Sequence, residues 1–254
     1  MSHQYIYISS HDNQLYKNFK KDDIFINIGS GAFMHQKWIN YDFPGHSHYY
    51  KKLQGAPGKD FLPIDLSKNL PLPIKNNSVR LVYLSHTIEH LPEDSALFLL
   101  KDISRILIKN GVLRIVFPDV EANYFFAKVC SKQIGVDQKV KVNAIIASAY
   151  NSFAPSSEYK VSYLMDLFRS KNYDIEIIQK VLKIKDKLKG GFRQKNPDFH
   201  LSYWTHDKML ELCIGNFKHY LPRTRGESCV KPFQNTYAFD TTEPQNSLYG
   251  EFIK

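Results

Sequence analysis

The sequence predicts an α/β protein built on a doubly wound, mainly parallel sheet of about seven strands, and three observations lead there. Short apolar runs recur through the first half of the chain with loop or helical stretches between them. The runs are continuous rather than alternating, which suits strands buried on both faces of a parallel sheet. Most of them end in Gly, Asp, Ser or His, so polar groups gather along one edge, the edge at which open α/β sheets bind ligands.

Taken in order, the first run is Ile24-Phe25-Ile26-Asn27-Ile28, ending in Gly29-Ser30-Gly31. Trp38-Ile39-Asn40-Tyr41 follows and ends in Asp42, and Asp60-Phe61-Leu62-Pro63-Ile64 ends in Asp65. The fourth, Val79–Leu84, ends in Ser85-His86, and the fifth, Val112–Phe117, ends in Pro118-Asp119. The clearest helix lies between the fourth and fifth. Pro92 suits a first turn, Glu93 and Asp94 favour a helix N-terminus, and Leu97, Leu100, Ile103 and Leu107 keep helical spacing up to a stop at Asn110-Gly111. Strand, helix and strand in succession imply a right-handed crossover.

From Ala122 to about Gly190 the pattern turns helical. After it, Asp207–Cys213 reads as a helix, and Phe217–Leu221 and Leu248–Ile253 as two closing strands, the last one antiparallel. The expected organisation is an N-terminal extension (1–23), a ligand-binding core (24–121), a helical insertion (122–199) and a C-terminal part that completes the sheet (200–254).

Composition bounds the partners. With 43% hydrophobic and 14% aromatic residues the chain is that of a folded protein. No stretch approaches the roughly 18 consecutive apolar residues that would span a bilayer. The N-terminus lacks a basic region followed by an apolar core, so export is not expected. Cys130, Cys213 and Cys229 are widely spaced and odd in number, which fits a reducing cytoplasm better than a disulfide framework or a zinc signature. Of the formal charge of +9, a net +6 falls between Glu121 and Phe199, where fourteen Lys/Arg face eight Asp/Glu. The run Lys180–Lys195 holds seven Lys/Arg and one Asp. A solvated helix face is the default reading of such a run; contact with an anionic substrate is the alternative.

The residues at the strand ends each have a physical use. Gly29 and Gly31 lack a Cβ, so the backbone turns sharply and a ligand can approach it. A carboxylate at Asp42 can accept both hydroxyls of a ribose, and Asp65 can accept an exocyclic amine such as that of adenine. The dinucleotide fingerprint fits less well. Met34 stands where its third glycine belongs, and Asp42 follows Gly29 by 13 residues rather than about 20. A P-loop fails because no Gly-Lys-Ser/Thr follows.

The segments Ile26-Asn27-Ile28-Gly29-Ser30-Gly31 and Trp38-Ile39-Asn40-Tyr41-Asp42 resemble motif I and the acidic loop of class I S-adenosylmethionine-dependent methyltransferases. The stretch from Ile64 to Asp119, with YLSHTIEHLP and RIVFPD, is similar to that family's later motifs. The tail from Phe199 to Ser228 resembles the branch associated with polysaccharide and lipopolysaccharide biosynthesis. The resemblance implies a Rossmann-like methyltransferase fold with S-adenosyl-L-methionine as cofactor and S-adenosyl-L-homocysteine as product. It places Asn27, Gly29, Ser30 and Gly31 along the methionine end, Asp42 at the ribose, Asp65 with Leu66 at the adenine, and Ser85 with His86 near the sulfonium. Asn27 stands where the family often has an acidic residue, and only seven residues separate Gly31 from Ile39, which leaves room for a very short first helix.

Methyl transfer needs a base only if the acceptor must lose a proton. His86 is the candidate, with His90 and His200 as further possibilities; each also has an ordinary structural reading. The order H-T-I-E-H is not the HExxH zinc pattern, and no metal is expected. Phe199, Tyr203 and Trp204 fit core packing better than stacking on a sugar or base. The expected acceptor is a small molecule or a saccharide, possibly anionic, bound partly by the insertion. An RNA acceptor is the first rival, without a recognisable nucleic-acid module to support it. A non-catalytic cofactor-binding module is the second.

Overall fold

The computed structural model describes residues 5–7, 12–45, 54–119, 200–213, 215–244 and 247–254. The proposed insertion at 122–199, with its helices and basic run, lies outside the described residues. Nine strands are described: β1 (Tyr5–Tyr7), β2 (Ile24–Ile28), β3 (Phe33–His35), β4 (Ile39–Asp42), β5 (Leu62–Pro63), β6 (Val79–Ser85), β7 (Leu107–Pro118), β8 (His219–Arg223) and β9 (Ser247–Ile253). Three described α-helices accompany them: α1 (Asp12–Leu15), α2 (Glu93–Ile106) and α3 (His206–Cys213).

Seven strands form one mixed sheet in the order β5-β4-β2-β6-β7-β9-β8. The five on the β5 side pair in parallel, whereas β9 is antiparallel to both β7 and β8. Numbered within the sheet, this is a 3-2-1-4-5 doubly wound core with an antiparallel seventh strand inserted before the sixth. It is the doubly wound, Rossmann-like arrangement of seven strands anticipated from the sequence. The register aligns Leu62, Tyr41, Ile28, Leu84 and Ile115 in one row across five strands. Residues just beyond that row therefore meet along a single carboxyl edge.

One face is covered by helices. Ile26, Ile28, Val82, Leu84, Leu113, Ile115 and Phe117 pack there against α2, and Met209 and Cys213 of α3 join them. The buried stripe of α2 is Ala96, Leu99, Leu100, Ile103 and Ile106. The sequence stripe needs correction at both ends. Leu97 is exposed, and Leu107 already belongs to β7. Pro92 caps the helix from outside instead of sitting in its first turn, and Asn110-Gly111 lies within the early part of β7 rather than stopping the helix. Asn110 takes a positive φ of 60° there, which is where Asn and Gly are tolerated. Asp102 on α2 pins the loop before β6. It accepts from Leu72 N at 2.7 Å and pairs with Arg105, whose guanidinium also donates to the carbonyls of Leu72 and Ile74.

The other face is covered by aromatic rings and an ion network. Between Gly31 and Ile39 the chain forms β3, which pairs in parallel with β1, where the sequence left space for a short helix. Tyr16, Phe25, Trp38, Tyr83, Phe233, Phe239 and Tyr249 form a second core. Rings meet edge to face, as at Tyr83–Phe239 (4.9 Å, 78°), or tilted, as at Trp38–Phe239 (5.3 Å, 54°). At its centre Arg114 is fully buried on β7. Its guanidinium pairs with Asp240, lies 3.8 Å from Glu251, and donates to the carbonyls of Glu227 (2.9 Å) and Thr224 (3.1 Å). A buried cation is tolerable only when its donors are matched in this way. The pairing fastens the 224–240 stretch onto the sheet, and Tyr83 adds to it by accepting from Asp240 N at 2.8 Å.

Candidate active site at the carboxyl edge

Beyond the common row, the chain turns at Gly29-Ser30-Gly31 after β2, at Asp42 after β4 and at His86 after β6. Gly29 and Gly31 both have positive φ, 68° and 55°. The turn is stitched to the neighbouring strand, because Gly29 N and Ser30 N donate to Tyr41 O at 2.8 and 3.1 Å. Gly29 could carry no side chain, since a Cβ would fall 2.0 Å from Thr87 Oγ1. The close approach that demands a glycine here is thus to Thr87, a residue the sequence reading did not single out.

Asp42 connects the two loops. Its Oδ2 accepts from Gly31 N and its Oδ1 from Phe43 N, both at 2.7 Å. Burial pushes its pKa up; hydrogen bonds from Gln54, Gly31 and Phe43 and the charge of nearby His90 oppose that rise. With these three donors, about one of the carboxylate's four lone-pair sites remains for a ligand hydroxyl. Beside it, Ser30 is 5% exposed and its hydroxyl has no hydrogen-bond partner among the described residues. An unmatched buried hydroxyl costs about 1–3 kcal/mol, so it is available to a further polar partner.

The other expected residues are placed as follows. Asn27 is buried, and its amide donates to Phe33 O (3.0 Å) and Asn40 Oδ1 (3.2 Å), which ties β2 to β3 and β4. Asp65 caps the turn Leu66–Lys68 by accepting from Ser67 N at 3.1 Å and from the Ser67 hydroxyl at 2.6 Å. Leu66 packs against the helix-covered core. Ser85 ends β6 one residue beyond the row, on the face of Tyr83. Tyr203 and Trp204 are buried, Trp204 in the helix-covered core.

His86 has a φ of 47°, unusual for a residue with a Cβ, and such strain gathers where structure over-determines a functional region. Its Nε2 lies 2.8 Å from Ser247 Oγ and its Nδ1 3.3 Å from Glu89 Oε1. Ser247 Oγ also lies 2.8 Å from Glu243 O, so its proton can go to that carbonyl or to the ring. Burial alone would lower the pKa of His86, but Glu89 and Glu243 outweigh it and the net shift is upward.

Glu89 is the least expected member of the group. It is 1% exposed and sits in the single turn Ile88–His90. Burial pushes its pKa up, yet the hydrogen bond from His86 and the charges of His86, His90 and His200 prevail and hold it at about 2. His90 and His200 meet edge to face with ring centroids 4.9 Å apart. Only tertiary structure could bring His200 here, across more than a hundred residues. The signal in the sequence was limited to the Glu89-His90 pair.

One further cavity, of about 350 Å³, lies at the amino end of β4 and β5, lined by Trp38, Ile39, Asn40, Gly58, Phe61 and Leu62 among others. It is separate from the strand ends that carry the glycine turn, Asp42 and His86.

No family model matches the sequence, and no curated protein matches it. Solved structures similar to the chain include an S-adenosylmethionine-dependent methyltransferase from Mesorhizobium loti, at 12% identity over 97% of this chain and 98% of that one, with a TM-score of 0.42. The YcgJ protein from Bacillus subtilis is 12% identical over 96% and 97% of the two chains, with a TM-score of 0.42. A SAM-dependent methyltransferase from Methanosarcina mazei is 11% identical over 94% of each, with a TM-score of 0.40. Likeness at this level leaves activity to be argued from the site.

Proposed function

We propose that the chain is an S-adenosylmethionine-dependent methyltransferase acting on a small-molecule or saccharide-like acceptor. The observation that carries this reading is the bond from Gly31 N to Asp42 Oδ2, which joins the glycine turn of the central strand to the carboxylate of its neighbour. It sits beside the unmatched Ser30 hydroxyl, on a sheet whose strand order suits the reading. Fold alone does not fix function, so the site has to supply the case.

The residues fit such a cofactor at two points. Asp42 keeps a lone pair for a ribose hydroxyl, and the Ser30 hydroxyl with the turn Gly29–Gly31 offers polar contacts to the methionine end. Asn27 is committed within the protein and would support the loop from behind. Asp65, already capping its own turn, would meet the adenine amine with a remaining lone pair, and Leu66 would pack on the ring. Ser85 and His86 would border the reacting centre. When bound, the cofactor supplies a methyl group on an already activated sulfonium, so alignment of the acceptor provides much of the rate. His86, held by Glu89 and Ser247, would form the wall of the site and is the candidate base where an acceptor must lose a proton.

An acceptor carrying phosphate or carboxylate, such as a nucleotide-linked sugar, is favoured by the net +6 of residues 121–199 and by the resemblance of the tail to the polysaccharide branch. The test is to screen the full chain with S-adenosylmethionine against sugar nucleotides, glycans and RNA, reading S-adenosylhomocysteine release. Release with a sugar nucleotide or glycan is expected. Release with RNA alone would replace the acceptor class, and cofactor binding without release in any arm would leave a non-catalytic module.

A further inference from the structure

The turn after β6 brings together three metal-competent groups that methyl transfer does not require. The ligand atoms of Glu89, His90 and His200 all lie within 4.8 Å of one another. Glu89 Oε1 stands 4.0 Å from His90 Nε2. Both oxygens of the Glu89 carboxylate are buried and, among the described residues, neither receives a hydrogen bond of good geometry; His86 Nδ1, 3.3 Å from Oε1, faces only one of them. A buried carboxylate with lone pairs left over can take a further positive partner.

The backbone builds this cluster. Leu201 N and Ser202 N both donate to Glu89 O, at 2.6 and 3.0 Å, and the Ser202 hydroxyl donates to Ile88 O at 3.1 Å. Where the chain returns at residue 200 it is therefore clamped onto the single turn that carries Glu89 and His90. His90 and His200 are half-buried, whereas Glu89 is closed off, so the group has a sealed floor and a side open to solvent. His86 Nδ1, against the same carboxylate oxygen, stands as an outer partner that would orient the ligand, as such partners commonly do.

We propose that Glu89, His90 and His200 form a binding site for one divalent first-row transition cation, with Zn2+ as its simplest occupant. Two imidazoles and one carboxylate are the donor set of sites that leave coordination positions open. Ligands about 2.0–2.2 Å from an ion lie closer together than the outer limit of the present spacing, so binding would draw the half-buried imidazoles inward by roughly an ångström. The cluster lies on the turn that follows β6, at the carboxyl edge of the sheet. An ion there would be placed to hold an oxygen of an acceptor. The sequence expectation of no metal rested on spacing along the chain, and His200 is too remote in sequence for that signal. The site stands whether or not the chain transfers methyl groups.

Titration of the full chain with Co2+, read by visible absorption, and with Zn2+, read by calorimetry, tests it. One equivalent is expected to bind with the spectrum of imidazole-coordinated cobalt. Binding should fall by at least tenfold in Glu89→Gln and in His200→Ala, with circular dichroism unchanged in the His200 variant, which alters a half-buried group. Stoichiometric binding that persists in a folded His200→Ala protein, or binding that never exceeds that of scattered surface histidines, would overturn the proposal. S-adenosylhomocysteine binding measured in the same samples reports separately on the methyltransferase reading.

Discussion

The two faces of the sheet are covered by different means. On one, α2 and α3 lay aliphatic stripes over Ile26, Val82, Leu84, Leu113 and Ile115. On the other, rings from the 12–38 and 233–249 stretches surround a buried guanidinium matched by Asp240 and Glu251. Most of the first cover comes from α2, which leads directly into β7. The second joins residues 126 positions apart in the case of Arg114 and Asp240. The helix-covered face should therefore respond to mutation by graded loss of apolar contact, and the ring-covered face by abrupt loss of charge balance.

The largest effect is expected at Arg114. Arg114→Met leaves Asp240 buried without its cation and Glu251 with Arg223 alone, and denaturant unfolding should show a loss of about 3–5 kcal/mol. A change below about 1 kcal/mol would mean that the ion network is not what fastens the 224–240 stretch. On the opposite face, Ile103→Ala removes a fully buried side chain from α2 and should cost about 3 kcal/mol by the same measurement. Leu97→Ala, on the exposed side of the same helix, should stay within about 0.5 kcal/mol. Equal losses at positions 97 and 103 would place the buried stripe of α2 elsewhere.

What the sequence disclosed follows the same division. The β2, β4, β6 and β7 strands and α2 were legible because each carries a local pattern, a continuous apolar run or a helical period. The carboxyl-edge residues were legible because they end those runs. Leu97 misled because two overlapping helical stripes fit the same residues, and only packing chooses between them. The β1–β3 pair was missed since three-residue strands carry no period. Arg114 sits in an apolar run and reads as an outward-facing interruption until Asp240 and Glu251 are brought against it. Glu89 and His200 likewise gain meaning only when the chain returns to the turn after β6.

The difference between the faces also locates the site. Asp42 and the turn Gly29–Gly31 lie where the five parallel strands end together, and neither depends on the ion network for its hydrogen bonds. Calorimetry of S-adenosylhomocysteine with the full chain and with Asp42→Ala tests this most directly. One site per chain is expected, weakened in the folded variant by about 1.5–3 kcal/mol, roughly 10- to 150-fold, the worth of hydrogen bonds to a charged group. Unchanged affinity in a folded Asp42→Ala protein, or no binding to the unaltered chain, would contradict the assignment of the carboxyl edge as a cofactor site.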